Sequence, residues 1–171
     1  MIQRFIMLVG ISGSGKTTYA KHFVEMKAQE GEEIIVLSSD DIREEIYGDA
    51  SIQTDPARVF SIMNERTFNA LEAGRSVIYD ATNLMAKRRK EMVDAVRRIA
   101  PDCLCICICC ATVVQTCIER QKQRDRLVSA AVIRRQNSQF QEITYDEGWD
   151  RICNAYTDDN NTISRSWLAG R

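Results

Sequence analysis

"GISGSGKTTYA", Gly10 to Ala20, decides how the rest of the chain is read. Its spacing is G-x-x-x-x-G-K-T, with Gly10, Gly15, Lys16 and Thr17 at the fixed positions of a phosphate-binding P-loop. The flanks supply the context that this pattern needs. "FIMLV", Phe5 to Val9, is an apolar run of strand length, and "KTTYAKHFVEMKA" sets Tyr19, Phe23 and Met26 at helical spacing. Gly10, Gly13 and Gly15 open backbone conformations closed to residues with a Cβ, so successive N–H groups converge on phosphate oxygens at a helix N-terminus. Lys16 then reaches the β- and γ-phosphates, and the Thr17 hydroxyl is the expected Mg²⁺ ligand. Together with Ser12, Ser14 and Thr18 these are the candidate nucleotide-binding positions, with ATP and Mg²⁺ as the expected cofactors. A glycine-rich turn that binds nothing is the competing reading, and a full match between a strand and a helix weighs against it.

The chain of 171 residues suits one compact domain, 1–171, large enough for a substantial core. Hydrophobic residues make up 44% and charged residues 27%, the balance of a globular protein rather than a disordered one. There is no internal repeat, no low-complexity tract and no apolar run long enough to cross a bilayer. "MIQRFIMLVG" is too short, and runs too directly into the glycine loop, for a signal peptide, so a cytoplasmic protein with no membrane partner is expected. A net charge of −1 provides no overall basic field for long stretches of nucleic acid, but contact with a chain end stays open. Basic clusters do occur locally, at "KRRK" (Lys87 to Lys90), Arg97-Arg98 and "RQKQRDR" (Arg120 to Arg126).

Five of the seven cysteines crowd into "CLCICICC", Cys103 to Cys110. On an extended segment Cys103, Cys105, Cys107 and Cys109 share one face and Leu104, Ile106 and Ile108 the other, which suits a strand buried on both sides. Thiols along one strand are not arranged like the C-x-x-C knuckles of zinc sites, so core cysteine is preferred to metal or redox function.

Strand-like segments recur at Phe5 to Val9, Ile34 to Leu37, Ser76 to Tyr79, Cys103 to Cys109 and, more weakly, Arg151 to Tyr156. Helical patterns separate them at Lys16 to Gln29, Asp41 to Tyr47, Pro56 to Ala73, Lys87 to Ile99, Val113 to Gln123 and Ala130 to Gln141. Such alternation predicts an α/β fold, a parallel five-stranded sheet with helices on both faces. Ligands collect beyond the carboxyl ends of such strands. The second strand runs into "SSDDIR" and the third into "DATN", so Ser38, Ser39, Asp40, Asp41, Arg43, Asp80, Thr82 and Asn83 point at the place where a triphosphate would lie.

Asp40 is expected to accept the proton of an acceptor hydroxyl, with Asp41 the better helix cap; capping by Asp40 is the plainer alternative. Arg43, within a helical turn, is suited to gripping an anionic group on the acceptor. Asp80 follows a strand as a Walker B acid does and should sit near Mg²⁺. The next residue is Ala81 rather than a glutamate that would activate water, which tilts the reading from hydrolysis toward transfer, and no N-K-x-D guanine element is present. Arg120 and Arg124 share one helix face, placed to bring guanidinium charge to a transferring phosphoryl group. "KRRK" reads as the polar face of its helix, and His22 as structural or exposed.

These blocks, "GISGSGKTT", "LSSDDIR", "VIYDATNLMAKRRK" and "CIERQKQRDRLVSAAVIRRQ", resemble the P-loop polynucleotide 5′-kinases and their small single-domain relatives among bacterial and phage ATP-binding kinases. The resemblance implies an adenylate-kinase-like P-loop fold with a helical lid at about residues 120–136. It also implies that Lys16 neutralises the phosphates, Asp40 is the general base on a 5′-hydroxyl, and Arg43 meets an acceptor phosphate. By the same resemblance Asp80 supports the metal site and Arg120 and Arg124 are the lid arginines; Thr17, Asp40 and Asp80 are the candidate metal ligands, and Asp40, Arg43, Thr82 and Asn83 the candidate acceptor contacts. "YDEGWD", Tyr145 to Asp150, looks like a stretch that precedes the last strand in small uncharacterised relatives. Tyr47, Phe60 and Phe68 are candidate platforms for a terminal base, or core. The expected activity is ATP-dependent phosphorylation of 5′-hydroxyl ends of DNA or RNA. A kinase of a nucleoside, sugar or antibiotic hydroxyl, and a regulatory ATP-binding protein with little transfer activity, are the alternatives.

Overall fold

The computed structural model describes residues 2–123 and 128–170. Six strands, β1 (Arg4–Val9), β2 (Ile34–Ser38), β3 (Ser76–Asp80), β4 (Leu104–Cys110), β5 (Arg151–Thr157) and β6 (Ile163–Trp167), form one sheet in the order β2-β3-β1-β4-β5-β6. The first five are mutually parallel and β6 runs antiparallel to β5. The helices are α1 (Lys16–Gln29), α2 (Ser39–Tyr47), α3 (Pro56–Glu72), α4 (Ala86–Ile99), α5 (Val114–Gln121) and α6 (Ala130–Gln139), with a 3-10 turn at Tyr145–Glu147. The alternation read from the sequence therefore gives the expected parallel α/β sheet. Residues of α2, α3 and α4 pack on one face of it, and Tyr19, Ala20 and Phe23 of α1 on the other.

The sheet has six strands, not five. The extra strand follows a tight turn in which Asp158 Oδ1 accepts from Asn160 N (2.9 Å) and Thr162 N (2.7 Å), while Asn161 takes a left-handed φ of 62°. This folds "ISRSW" back on β5, where Arg165 lies over the Tyr19 ring and Trp167 under Arg151. β6 has only five residues and is mostly exposed, so its sequence carries little apolar alternation. The "DDNN" turn cluster was the available signal.

β4 lies between β1 and β5, and its cysteines are core residues. Cys103, Cys105 and Cys107 pack with Phe5, Met7 and Trp149 on one face, and Ile106, Ile108 and Cys110 with Ile6, Leu8 and Tyr19 on the other. Burial pushes the thiols of Cys107, Cys109 and Cys110 up, Cys110 to about 12, which keeps them uncharged and unreactive at neutral pH.

"KRRK" corrects its sequence reading at one position. Lys87, Arg88 and Lys90 are exposed, but Arg89 is 0% exposed and the largest fully buried side chain among the described residues. All its donors are used. Nε and one terminal nitrogen bind the Glu147 carboxylate (2.8 and 2.7 Å), and the terminal nitrogens also reach the carbonyls of Asn83, Leu84, Gln141 and Glu142 (2.8–3.1 Å). Glu147 also accepts from Trp149 Nε1 at 3.0 Å. The planar guanidinium thus ties the loop after β3 to the segment after α6, a role that a lysine, with one nitrogen, does not fill.

Arg89→Met leaves a buried carboxylate and several carbonyls without their donor, and is expected to destabilise by about 3–5 kcal/mol. Glu147→Gln, which keeps acceptor and shape, should cost less. Urea unfolding measures both, and a cost below about 1 kcal/mol for Arg89→Met contradicts the assignment.

Candidate active site

β1 ends at Val9 and the chain enters the glycine loop, whose backbone only glycine tolerates at two points. A Cβ at Gly13 (φ 84°) would lie 2.6 Å from the Cys117 carbonyl oxygen, and one at Gly10 2.6 Å from Ser14 Oγ. The loop closes through Ser14 N donating to Ile11 O (3.2 Å) and opens directly into α1 at Lys16. Lys16 Nζ donates to the carbonyls of Gly10 (2.9 Å) and Ile11 (3.0 Å). The Ser14 hydroxyl turns inward, 1% exposed and without a hydrogen-bond partner among the described residues, so its side chain faces the protein rather than the mouth of the loop. Thr17 is exposed and Thr18 partly so.

Next to β1 runs β3, in a register that sets Asp80 opposite Leu8. Thr17 Oγ1 lies 3.2 Å from Asp80 Oδ2 as its hydrogen-bond donor, so two hard oxygen groups stand together at the first turn of α1. This donor set fits Mg²⁺, which takes few carboxylates and completes its shell with water and phosphate oxygens. Asp80 is 5% exposed, and burial raises its carboxyl above the ordinary 3.8; the Lys16 charge and the Thr17 hydrogen bond draw it down, and the Asp40 and Asp41 charges push it up. Ser38 pairs with Asp80 across β2 and β3, so the first turn of α2 begins beside the end of β3.

α2 begins one strand further out. Ser38, not Asp40 or Asp41, is the cap: its Oγ accepts from Asp40 N (3.2 Å) and Asp41 N (3.4 Å). Both carboxylates are left to the first turn, where acidic groups also complement the helix dipole. Arg43 is 7% exposed and donates to Ser39 O (3.2 Å) and Asp40 Oδ1 (3.0 Å), and its Nε is buried without a partner among the described residues. The loop after β3 is itself fixed: Gly10 N donates to Thr82 O (3.0 Å), and Asn83 (φ 50°) donates from Nδ2 to Leu8 O (2.7 Å) and Ala81 O (3.2 Å). The Asn83 amide nitrogen therefore serves the backbone.

Arg120, at the end of α5, is held to the β5–β6 turn. It donates to Thr157 O (2.6 Å) and Asp159 Oδ1 (3.3 Å), with its guanidinium 6.0 Å from the Tyr156 ring centre. Arg124, its expected partner, lies outside the described residues, as do Arg126 and part of the expected lid. Tyr47, Phe60 and Phe68 are partly buried against the core of α2, α3 and β3. His22 is exposed on α1. A cleft of about 480 Å³ lies behind the loop, lined by Ile11, Val113, Phe140, Ile143 and Leu168 among others, away from Asp40 and Asp80.

Two neighbours of the loop were not read from the sequence. Thr157, whose Oγ1 would lie 3.1 Å from a Cβ at Gly15, ends the last parallel strand, the position type that had already identified Asp40 and Asp80. Gln136 of α6 accepts the Ser12 N–H at 2.8 Å, and nothing in "VIRRQNSQ" marks it.

The elevated Asp80 pKa sets a pH dependence. A carboxyl whose folded pKa exceeds its unfolded one costs stability while ionised, and the cost disappears as pH falls through the folded pKa toward 3.8. Asp80→Asn is expected to melt above the wild type at pH 7 without nucleotide, by a margin that shrinks toward pH 4. Thermal melts at the two pH values check this, and a variant that melts lower at pH 7 contradicts it.

A family profile described as AAA domain matches residues 5–143. No curated protein matches the sequence. Among solved structures, a chain of the Pnkp1/Rnl/Hen1 RNA repair complex is similar with a TM-score of 0.69 and 21% identity, over 81% of this chain and 44% of that one, so this chain spans less than half of its length. A gluconokinase from Sinorhizobium meliloti 1021 gives 0.55 and 18%, over 90% and 82% of the two chains. The Mycobacterium tuberculosis APS kinase CysC, in complex with AMPPNP and APS, gives 0.58 and 22%, over 70% and 69%. With the glycine loop, the Asp80 strand end and the 2-3-1-4-5 parallel order all in place, the chain belongs to the AAA domain family and carries the P-loop kinase-like fold.

Proposed function

We propose that the protein is an ATP- and Mg²⁺-dependent phosphotransferase whose acceptor is the 5′-hydroxyl end of DNA or RNA. The observation that carries this reading is the Asp40–Arg43 pair, 3.0 Å apart on the first turn of α2, beside the cluster of Lys16, Thr17 and Asp80. A carboxylate there is suited to accept a hydroxyl proton, and a guanidinium one turn away is suited to hold an anion. An acceptor that offers a hydroxyl and a phosphate a few ångströms apart is what a polynucleotide 5′ end presents. The likeness to a chain of an RNA repair complex agrees with this acceptor.

In this reading the loop amides and Lys16 bind and orient the triphosphate, while Thr17 and Asp80 would hold Mg²⁺, which would supply charge neutralisation at the phosphates. Asp40 orients the acceptor hydroxyl for in-line attack and takes its proton as the O–P bond forms and ADP leaves. Arg43 fixes the acceptor phosphate. Arg120 and Arg124 bring positive charge to the transferring group. A small-molecule hydroxyl is the second reading. It is favoured by the share of the gluconokinase and APS kinase chains that is matched, 82% and 69%, against 44% for the RNA repair chain.

Transfer of label from γ-labelled ATP to 5′-hydroxyl oligonucleotides tests the assignment. Lys16→Ala and Asp40→Asn should each lower the rate by about 100-fold or more, and Arg43→Gln should raise the KM for oligonucleotide with little change in the KM for ATP. Transfer that survives Asp40→Asn undiminished overturns the role given to Asp40. ATP binding with no label moved to any hydroxyl favours a regulatory ATP-binding protein.

A further inference from the structure

α6 lies against the glycine loop through one face. Ile133, 0% exposed, packs with Ile11, Leu84, Cys117 and Ile118, and Gln136, one turn on, accepts the Ser12 N–H at 2.8 Å. The Ser12 N–H and the Ile11 carbonyl belong to the same peptide unit, and that carbonyl is one of the two that receive Lys16 Nζ, at 3.0 Å. One peptide plane in the loop is thus held at both edges, by the phosphate-binding lysine on one side and by a side chain of α6 on the other. A trans peptide points its C=O and N–H in opposite directions, so rotating the plane disturbs both bonds together.

We infer that Gln136 is a positioning residue for the phosphate site: it fixes the Ile11–Ser12 peptide, and through it the place where Lys16 waits for the nucleotide. This inference rests on the reading of Lys16 as a nucleotide ligand. It also gives α6, the last part of the expected lid, a direct connection to the loop, since Ile133 seats the helix on the Ile11 side chain while Gln136 sets the adjoining backbone. The amide is neutral, so it fixes the peptide without placing negative charge beside the phosphates.

Gln136→Met removes the acceptor and keeps the length of the side chain. Binding of a fluorescent ATP analogue, measured without any acceptor, is expected to weaken about fivefold, the worth of one net hydrogen bond. The melting temperature without nucleotide should fall by no more than about 4 °C, the size of one lost hydrogen bond, because the apolar contacts of Ile133 are untouched. A double-mutant cycle separates positioning from mere packing: in the Lys16→Ala background Gln136→Met should have no further effect on nucleotide affinity. Equal effects in both backgrounds, or none in either, overturn the inference while leaving the nucleotide site intact. A wild-type protein that binds no ATP analogue, or binds it equally well after Lys16→Ala, overturns the reading of Lys16 and this inference with it.

Discussion

The parallel register between β1 and β3 is the constraint on which the site depends. Leu8 pairs with Asp80, so the residue that ends β3 stands beside the residues that open the glycine loop. Two further bonds extend the pairing beyond the strands, from Gly10 N to Thr82 O and from Asn83 Nδ2 to Leu8 O. A slip of one residue would turn Asp80 to the opposite face of the sheet and break its contact with Thr17. Arg89 completes the restraint from the other side, because it holds the Asn83 and Leu84 carbonyls and is itself held by Glu147. The loop bearing Thr82 and Asn83 is therefore anchored at both ends before any ligand arrives.

Several of the groups around that register are costly to bury, and they differ in what offsets the cost. Arg89 is fully compensated by a carboxylate and four carbonyls, which makes it a structural element. Asp80 is not: burial dominates its environment, and Lys16 and Thr17 offset it only in part. Arg43 keeps a buried Nε that no described residue partners. Incomplete compensation at Asp80 and Arg43, beside complete compensation at Arg89, supports the proposal that the first two serve a ligand while Arg89 serves the fold.

The fold was legible where burial leaves a pattern in the letters. Phe5 to Val9 and the cysteine strand could be read because a strand buried on both faces is a short unbroken apolar run, and the helix from Lys16 to Gln29 because Tyr19 and Phe23 recur at helical spacing on its buried side. β6 was not legible, being short and exposed on one side. Arg89 was hidden for the opposite reason: in "KRRK" its letter matches its exposed neighbours, and only the distant "YDEGWD" supplies the carboxylate that buries it. Within the proposed site, Lys16 and Thr17 were marked by the glycine-loop spacing, Asp80 by its place at the end of β3, and Asp40 by its place just beyond β2. The cap was misassigned because Ser38 and Ser39 compete with two aspartates for the same position. Gln136 could not be found at all, since a glutamine on a polar helix acquires meaning only from the backbone it meets.

The roles proposed for Asp40, Arg43, Lys16 and Asp80 suit any hydroxyl acceptor with an anionic neighbour, so the identity of that acceptor decides the account. The most direct measurement offers the protein γ-labelled ATP with a 5′-hydroxyl oligonucleotide, gluconate and adenosine phosphosulfate together, and separates the products by acceptor. Label on the oligonucleotide 5′ end, and not on the two small molecules, is the predicted result. Label on a small molecule with none on the oligonucleotide contradicts it.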